Sequence, residues 1–164
     1  MSTIIRKATL EDVDAILRIF NHAIETSTAN FHKEAKNNDY MWHWLASRLP
    51  HHPVLVAELD GDVMGWASLG VYDPRSAFNT TAEFSVYVDE AAQGKGLGLQ
   101  LTLAAIEAGR EAGLHTLIAR VTADNDASIR LHEKAGFIQA GHMKEVGQKF
   151  DRWLDVCVMQ FMLV

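Results

Sequence analysis

The segment VDEAAQGKGLGLQL, residues 88–101, decides how this chain is organised, because three closely spaced glycines join a strand-like run to a helical one. The glycines are Gly94, Gly96 and Gly98, and the Leu/Ala-rich run that follows predicts a helix from about Leu97 to Ala112. A helix N-terminus exposes about four unpaired N–H groups and carries roughly half a positive charge. Since glycines let a ligand approach the backbone, the segment predicts a phosphate site. The alternative is a flexible turn that binds nothing.

Two familiar nucleotide-binding loops do not match this segment. A Walker loop needs Gly, four residues and then Gly-Lys-Ser/Thr, and no such spacing occurs here. A dinucleotide fingerprint needs a third glycine where Leu99 or Leu101 stands. The predicted phosphate site therefore belongs to another kind of loop.

The strand before the glycines alternates in polarity. In TAEFSVYVD (residues 81–89), one face carries Ala82, Phe84, Val86 and Val88, and the other carries Glu83, Ser85 and Tyr87. Further strands are predicted at 4–8, at 53–70 (two strands joined at Asp60-Gly61), at 115–124, at about 137–142 and at 153–163. Helices are predicted over the run with Val13, Ile16, Leu17 and Phe20, over 39–49, and from Asn125 to Gly136. Together these elements predict an α/β domain with a mixed sheet covered by helices.

Composition narrows the classes of function. The chain has 164 residues, 48% of them hydrophobic, which suits a single domain over residues 1–164. A formal net charge of -6 argues against nucleic acid or an anionic membrane surface as the main partner. One cysteine, Cys157, and no recognisable signal peptide or membrane span favour a cytoplasmic protein. The eight histidines show no metal-ligand spacing, so no metal is expected.

Three motifs give the chain a family resemblance. Gln93-Gly94-Lys95-Gly96-Leu97-Gly98 resembles the pyrophosphate loop [Arg/Gln]-x-x-Gly-x-[Gly/Ala] of the GNAT N-acetyltransferases. FSVYVDEAAQ before it resembles that family's fourth strand, and NDASIRLHEKAGF (125–137) resembles its Asn-initiated helix. The resemblance covers essentially the whole chain. It implies a mixed, mostly antiparallel sheet of about seven strands, flanked by about four helices, with splayed fourth and fifth strands.

A narrower resemblance points to one branch of that family. FNHAIETSTANF (20–31), TAEFSVYV (81–88) and VGQKFDRWLDVCVMQFML (146–163) look like the phosphinothricin and methionine sulfoximine acetyltransferases. This implies an enzyme, an acyltransferase that moves acetyl from acetyl-CoA to the α-amino group of a small glutamate-like amino acid. The branch also implies a homodimer.

The resemblance assigns residues to acetyl-CoA. The pantetheine arm is expected along the backbone of Phe84, Ser85, Val86, Tyr87 and Val88. The pyrophosphate is expected at Gln93, Gly94, Lys95, Gly96, Leu97 and Gly98. On the Asn-initiated helix, Asn125, Ser128 and His132 are expected to contact the cofactor, although Asn125 also suits a plain helix N-cap.

Two residues are candidates for proton transfer. An ammonium group must lose a proton before it can attack a thioester, and Glu83 is the candidate base. Its alternative role is to orient substrate or to form a salt bridge. His132 stands where many family members have tyrosine, and it is the candidate donor to the leaving thiolate, with a purely structural histidine as the alternative.

The acceptor pocket is predicted from charge and from the branch. An α-carboxylate calls for an arginine fork, and Arg75 in YDPRSAF (72–78) is the candidate, with a solvated loop arginine as the alternative. Ser76 and Ala77 are carried over from the same loop. Phe31 and Trp153 are candidate pocket walls or ordinary core, and Lys149 and Phe150 are candidates to reach a partner subunit's pocket. Some relatives have histidine where this chain has Phe150, which weakens phosphinothricin itself as the expected substrate.

Two other functions remain open from the sequence. The same fold could acetylate a protein N-terminus or a lysine side chain, which needs an open groove rather than a closed pocket. A non-catalytic acyl-CoA sensor would bind the cofactor without turnover.

Overall fold

Seven strands of the described chain form one sheet, in the order β1-β2-β3-β4-β5-β7-β6. The structure is a computed structural model, and it describes residues 2–164. The strands are β1 Thr3–Lys7, β2 Val54–Leu59, β3 Asp62–Val71, β4 Thr81–Val88, β5 Thr116–Thr122, β6 Ile138–Lys149 and β7 Arg152–Met162. The helices are α1 Val13–Thr26, α2 Asn38–Ala46, α3 Leu97–Glu111 and α4 Asp126–Ala135. No helix between residues 2 and 164 is long and apolar enough to cross a bilayer.

The β4 and β5 strands separate after a short parallel contact. Their paired residues run from Thr81↔Thr116 to Glu83↔Ile118, while β4 continues to Val88. The other neighbouring strands pair antiparallel. The predicted mixed, mostly antiparallel sheet with splayed fourth and fifth strands is therefore confirmed.

Two apolar clusters hold helices against the two faces of the sheet. On one face, α1 and α2 bury Ile16, Ile24 and Met41 against Val56 and Trp66. On the other face, α3 packs on the sheet through residues such as Leu101 and Ala105, and α4 packs against α3. The helical spacing read along α1 is correct, because Val13, Ile16, Leu17 and Phe20 are all buried.

The glycine loop turns the chain from β4 into α3. Gly94 and Gly96 have φ values of 77° and 80°, a left-handed conformation that strains residues with a Cβ. Gly96 is the N-cap of α3. A Cβ built on Gly98 would lie 3.2 Å from Leu131 of α4, so a small residue there lets the two helices pack closely.

The sixth strand is longer than the sequence predicted, whereas the seventh lies within one residue of its predicted range. β6 was expected over about 137–142, but it runs to Lys149 and pairs with β7 through two register shifts. The hairpin turn between them uses Phe150 and Asp151, at φ 52° and 58°. Asp60-Gly61, the turn that the sequence did predict, contains the glycine that favours such a conformation.

Candidate active site

A large cleft opens where β4 and β5 separate. Its volume is about 1230 Å³, and it is bounded by one side of α1, the end of β4, the glycine loop and the start of α4. Gly94, Gly96 and Gly98 line it together with Gln93. We call this cavity the large cleft.

The start of α3 presents unused amide groups to the large cleft. The first hydrogen bond at this end of the helix runs from Gln100 N–H to Gly96 C=O, so the amides of Leu97, Gly98 and Leu99 precede the helical ladder. A Cβ on Gly94 would meet nothing within 4 Å. Open space above N–H groups at a helix N-terminus suits a phosphate oxygen.

The α4 side of the cleft is built around Asn125. Its side chain accepts a hydrogen bond from Ser128 N–H at 3.1 Å, so it caps α4. Both residues also line the large cleft. The cap uses the amide oxygen of Asn125, and its NH₂ group remains a donor that a ligand could use.

A second cavity, the small pocket, lies on the α1/α2 face of the sheet. It has a volume of about 240 Å³. Paired residues of β3 and β4 form its floor: Trp66 with Tyr87, Ser68 with Ser85, and Gly70 with Glu83. Val71 of β3 also lines it. The rest of the lining comes from α1, the α1–α2 loop, α2 and the segment just after α2: Phe20, His32, Tyr40, Met41, Trp44 and Arg48.

Glu83 is a partly desolvated carboxylate that lines this pocket. Burial raises the pKa of Glu83, and the positive charge of Arg120 partly opposes that rise. The Nε of Arg120 lies 3.2 Å from Glu83 Oε2. Glu83 is also the last β4 residue paired with β5, so its carboxylate lies where the sheet begins to open.

Tyr87 is common to both cavities. Among residues 2–164 it alone lines the large cleft and the small pocket. Its hydroxyl accepts a hydrogen bond from Asn30 Nδ2 at 2.9 Å, and burial raises the pKa of Tyr87 to about 12. The phenol therefore stays protonated near neutral pH and keeps its own hydrogen to donate.

A buried lysine holds the loop that supports Tyr87. Lys149 Nζ donates to Ser27 C=O at 2.8 Å and to Asn30 C=O at 2.7 Å, and the residue is only 3% exposed. Lys149, Asn30 and Tyr87 thus form one chain of hydrogen bonds from the end of β6 to the floor of the small pocket.

The family now follows from comparison with known proteins. The model of the Acetyltransferase (GNAT) family matches residues 16–137. This chain belongs to the GNAT acetyltransferase family. The family and the class of enzyme predicted from the sequence, an acyltransferase, are confirmed.

Curated and solved GNAT relatives extend over nearly the whole chain. An L-methionine sulfoximine/L-methionine sulfone acetyltransferase of Pseudomonas paraeruginosa is 42% identical, covering 99% of this chain and 96% of its own length. A Salmonella typhimurium acetyltransferase, solved with its cofactor acetyl-CoA, superposes with a TM-score of 0.97 at 41% identity, covering 100% of this chain and 95% of that one. A ribosomal-protein-alanine N-acetyltransferase of Brucella melitensis has a TM-score of 0.94 at 43% identity, covering 97% and 99%.

Most residues that the GNAT resemblance assigned to acetyl-CoA meet at the large cleft. Its lining includes Val86, Tyr87, Val88, Gln93, Gly94, Gly96, Leu97, Gly98, Asn125 and Ser128. Four others lie elsewhere: Phe84 and His132 are buried, Ser85 lines the small pocket, and Lys95 is exposed and does not line the large cleft. Their contacts with the cofactor stay predictions.

His132 is packed inside the protein. Its ring lies edge-on to Phe84 and Phe137, it is 4% exposed, and it lines neither cavity. Nδ1 donates to Ser128 C=O at 2.7 Å, and burial lowers the pKa of His132. At neutral pH the other nitrogen, Nε2, carries no proton to give. These contacts favour the structural alternative over the donor role.

Arg75 is turned away from the small pocket. Its side chain is 77% exposed, forms an ion pair with Asp73 and lies over Phe78. Ser76 and Ala77 form a short exposed 3₁₀ turn beside it.

The remaining predicted pocket residues also lie outside the small pocket. Phe31 is half-exposed in the α1–α2 loop, and Phe150 and Trp153 are exposed on the β6–β7 hairpin. Lys149 is buried and reaches the α1–α2 loop. Their contacts with a substrate or a partner subunit stay predictions.

Arg48 and the Tyr87 hydroxyl are polar groups of the small pocket that the sequence did not predict there. Tyr87 was assigned only through its backbone, although its polar face was identified. Trp44 and Arg48 are four residues apart around the end of α2, a spacing that can bring side chains together. That spacing was the available signal for Arg48.

Proposed function

We propose that this chain transfers acetyl from acetyl-CoA to the α-amino group of a small glutamate-like amino acid, such as phosphinothricin, methionine sulfoximine or methionine sulfone. The observation that carries the proposal is the meeting of two cavities at Tyr87, with Glu83 facing the smaller one. The 42% identity to a methionine sulfoximine/methionine sulfone acetyltransferase supports the substrate class.

The large cleft fits acetyl-CoA chemically. Amides at the start of α3 suit the pyrophosphate, and β4 beyond Glu83 offers backbone groups that β5 does not pair. When bound, acetyl-CoA supplies an activated acetyl thioester. The residues assigned to it are Val86, Tyr87, Val88, Gln93, Gly94, Gly96, Leu97, Gly98, Asn125 and Ser128.

In this mechanism Glu83 accepts the proton that the substrate ammonium must lose. Its raised pKa brings it nearer to the ordinary working range of a general base. The Tyr87 hydroxyl, oriented by Asn30, donates a hydrogen bond at the junction of the cavities. Glu83 thus takes up the proton from the ammonium group, while the Tyr87 phenol supplies a hydrogen bond and keeps its own proton, and CoA leaves as a thiolate that solvent protonates.

The deciding experiment is release of the CoA thiol against a panel of amines. The panel contains phosphinothricin, methionine sulfoximine, methionine sulfone, common amino acids, polyamines and short peptides. Turnover confined to glutamate-like compounds supports the proposal. If no amine in the panel causes release of the CoA thiol while acetyl-CoA still binds, a non-catalytic acyl-CoA sensor is favoured instead.

A protein N-terminus is the second candidate acceptor. It is favoured by the 43% identity to a ribosomal-protein-alanine N-acetyltransferase. The small pocket, at about 240 Å³, is smaller than the roughly 300–1,000 Å³ of drug-sized ligand sites, which favours a free amino acid. Turnover of Ala-initiated peptides alone would support the protein acceptor.

We also propose that the chain acts as one domain, as a homodimer and in the cytoplasm. All strands of residues 2–164 join one sheet, which supports a single domain. Exposed apolar side chains on the β6–β7 hairpin, Val146, Phe150 and Trp153, support a subunit contact. A single buried cysteine suits a reducing compartment.

A further inference from the structure

Arg48 is a partly buried cation without an acidic partner. Its guanidinium stacks on Trp44 with 4.5 Å to the ring centroid. Nε donates to His52 C=O at 3.2 Å, and Nη2 donates to Leu69 C=O. Within residues 2–164 no carboxylate lies at ion-pair distance from it. Its two acceptors are neutral carbonyls, so neither hydrogen bond balances the positive charge that Arg48 brings to the small pocket it lines.

The guanidinium lies over Gly70. A Cβ built on Gly70 would be 3.4 Å from Nη2 and 3.9 Å from Nη1 of Arg48. Gly70 is the β3 residue paired directly with Glu83 of β4. Directly paired antiparallel residues project to the same face, with Cβ atoms about 4.5–5.5 Å apart. The cation and the carboxylate therefore line one small pocket at neighbouring positions, Arg48 above Gly70 and Glu83 on the strand paired with it.

We propose that Arg48 binds the α-carboxylate of the acceptor amino acid while Glu83 receives its α-ammonium group. This inference rests on the proposed function and names the residue that recognises the acid. An α-amino acid carries a negative and a positive group on one carbon, which matches a pocket lined by one cation and one anion. Nε of Arg48 is bonded to His52 C=O, but Nη1 and the second hydrogen of Nη2 form an edge that can make the paired hydrogen bonds that carboxylates favour.

The other candidate, Arg75, is less well placed for this role. Its guanidinium already bonds both oxygens of Asp73, and it does not line the small pocket. To bind substrate it would have to give up that ion pair and turn inward.

A carboxylate-binding role for Arg48 distinguishes the two classes of acceptor, free amino acids and peptide N-termini. The first residue of a peptide has an amide where a free amino acid has a carboxylate, so Arg48 would be left with a neutral ligand. The enzyme should therefore prefer free amino acids to peptides, and this preference should depend on Arg48.

The test compares L-methionine sulfone with its decarboxylated amine on Arg48→Met. We expect kcat/KM for the acid to fall on the order of tenfold to a hundredfold, the scale of charge-assisted hydrogen bonds, with little change for the amine. The KM for acetyl-CoA should not change, because Arg48 lies outside the large cleft.

Arg110→Met is the matched control. Arg110 also lies over an aromatic ring, that of Phe161, and also donates Nε to a main-chain carbonyl, that of Leu163, but it lines neither cavity. It should leave the preference for the acid unchanged.

Equal losses with the acid and the amine would overturn the inference and leave the proposed function standing. A selective loss in Arg75→Met, but not in Arg48→Met, would assign the carboxylate to Arg75 and also overturn it. If the wild-type enzyme acetylates no free amino acid, both the proposed function and the inference fail. Should Arg48→Met not fold, Arg48→Lys decides by the same criterion: selective loss with the acid supports the inference, and equal loss overturns it.

Discussion

Glu83 combines a raised pKa with a position at the opening of the sheet. For Glu83→Gln we expect turnover to fall by on the order of 10²-fold or more, because the amide cannot accept the ammonium proton. Acetyl-CoA affinity should be nearly unchanged, since Glu83 lines the small pocket only. Steady-state rates and a cofactor titration measure the two effects. An unaffected rate would remove Glu83 from the role of base.

The pH dependence of the reaction should reveal the effect of the Arg120 charge on the pKa of Glu83. A base works when ionised, so kcat/KM falls as the pH drops through the pKa of Glu83, which burial raises above the ordinary glutamate value. Arg120 partly lowers that pKa, so Arg120→Met should move the acid limb of the profile to higher pH.

Arg120→Lys is the control for this prediction, because it keeps the positive charge. Its acid limb should stay closer to that of the wild-type enzyme. A limb that stays in place in Arg120→Met, or that moves to lower pH, would contradict the assignment of the limb to Glu83.

Between elements, the contact of greatest consequence joins the end of β6 to the α1–α2 loop. Lys149→Met keeps the length of the side chain but leaves two carbonyls, of Ser27 and Asn30, without their donor. We expect a loss of about 2–3 kcal/mol in the free energy of unfolding, since an unsatisfied buried group costs about 1–3 kcal/mol and the Ser27 carbonyl, being only partly buried, adds less than the Asn30 carbonyl. Turnover should also fall, because Asn30 positions Tyr87.

Thermal unfolding and steady-state kinetics check this expectation together. Lys144→Met, on an exposed position of the same strand, is the control and should leave both measurements unchanged. Normal stability in Lys149→Met with a raised KM for the amino acid would instead support the substrate-binding role that the sequence suggested.

At the scale of elements, the sequence predicted which side chains share one face of a strand, but not which side chains from other elements lie close to that face. Alternation over 81–88 identified Glu83 and Tyr87 as one face of β4, and that face is the floor of the small pocket. Alternation could not reveal that Arg48 lies over Gly70, because this depends on where the segment after α2 meets β3. The Phe150–Asp151 turn was missed because neither residue is a usual marker of left-handed backbone.

For the whole molecule, the exposed apolar side chains of the β6–β7 hairpin predict self-association. Phe150→Asp should convert a dimer into a monomer, measured as a halved mass by light scattering. Aspartate tolerates the φ of 52° at this position better than most residues, so the hairpin itself should persist.

Leu103→Asp on α3 is the control for this prediction, since Leu103 is an exposed apolar residue on another element. It should leave the mass unchanged. A wild-type protein that is monomeric at assay concentrations would contradict the proposed dimer.

Tyr87, the single residue within residues 2–164 that lines both cavities, has a consequence for the kinetics. Because Tyr87 is the one described residue that lines both cavities, all the other lining residues belong to one cavity alone, and we expect the amino acid and acetyl-CoA to bind independently. Initial-rate lines should then intersect in double-reciprocal plots, and neither compound should show an obligatory order of addition. The acetylated product should be able to leave the small pocket while CoA is still bound, so that release of CoA can limit the cycle.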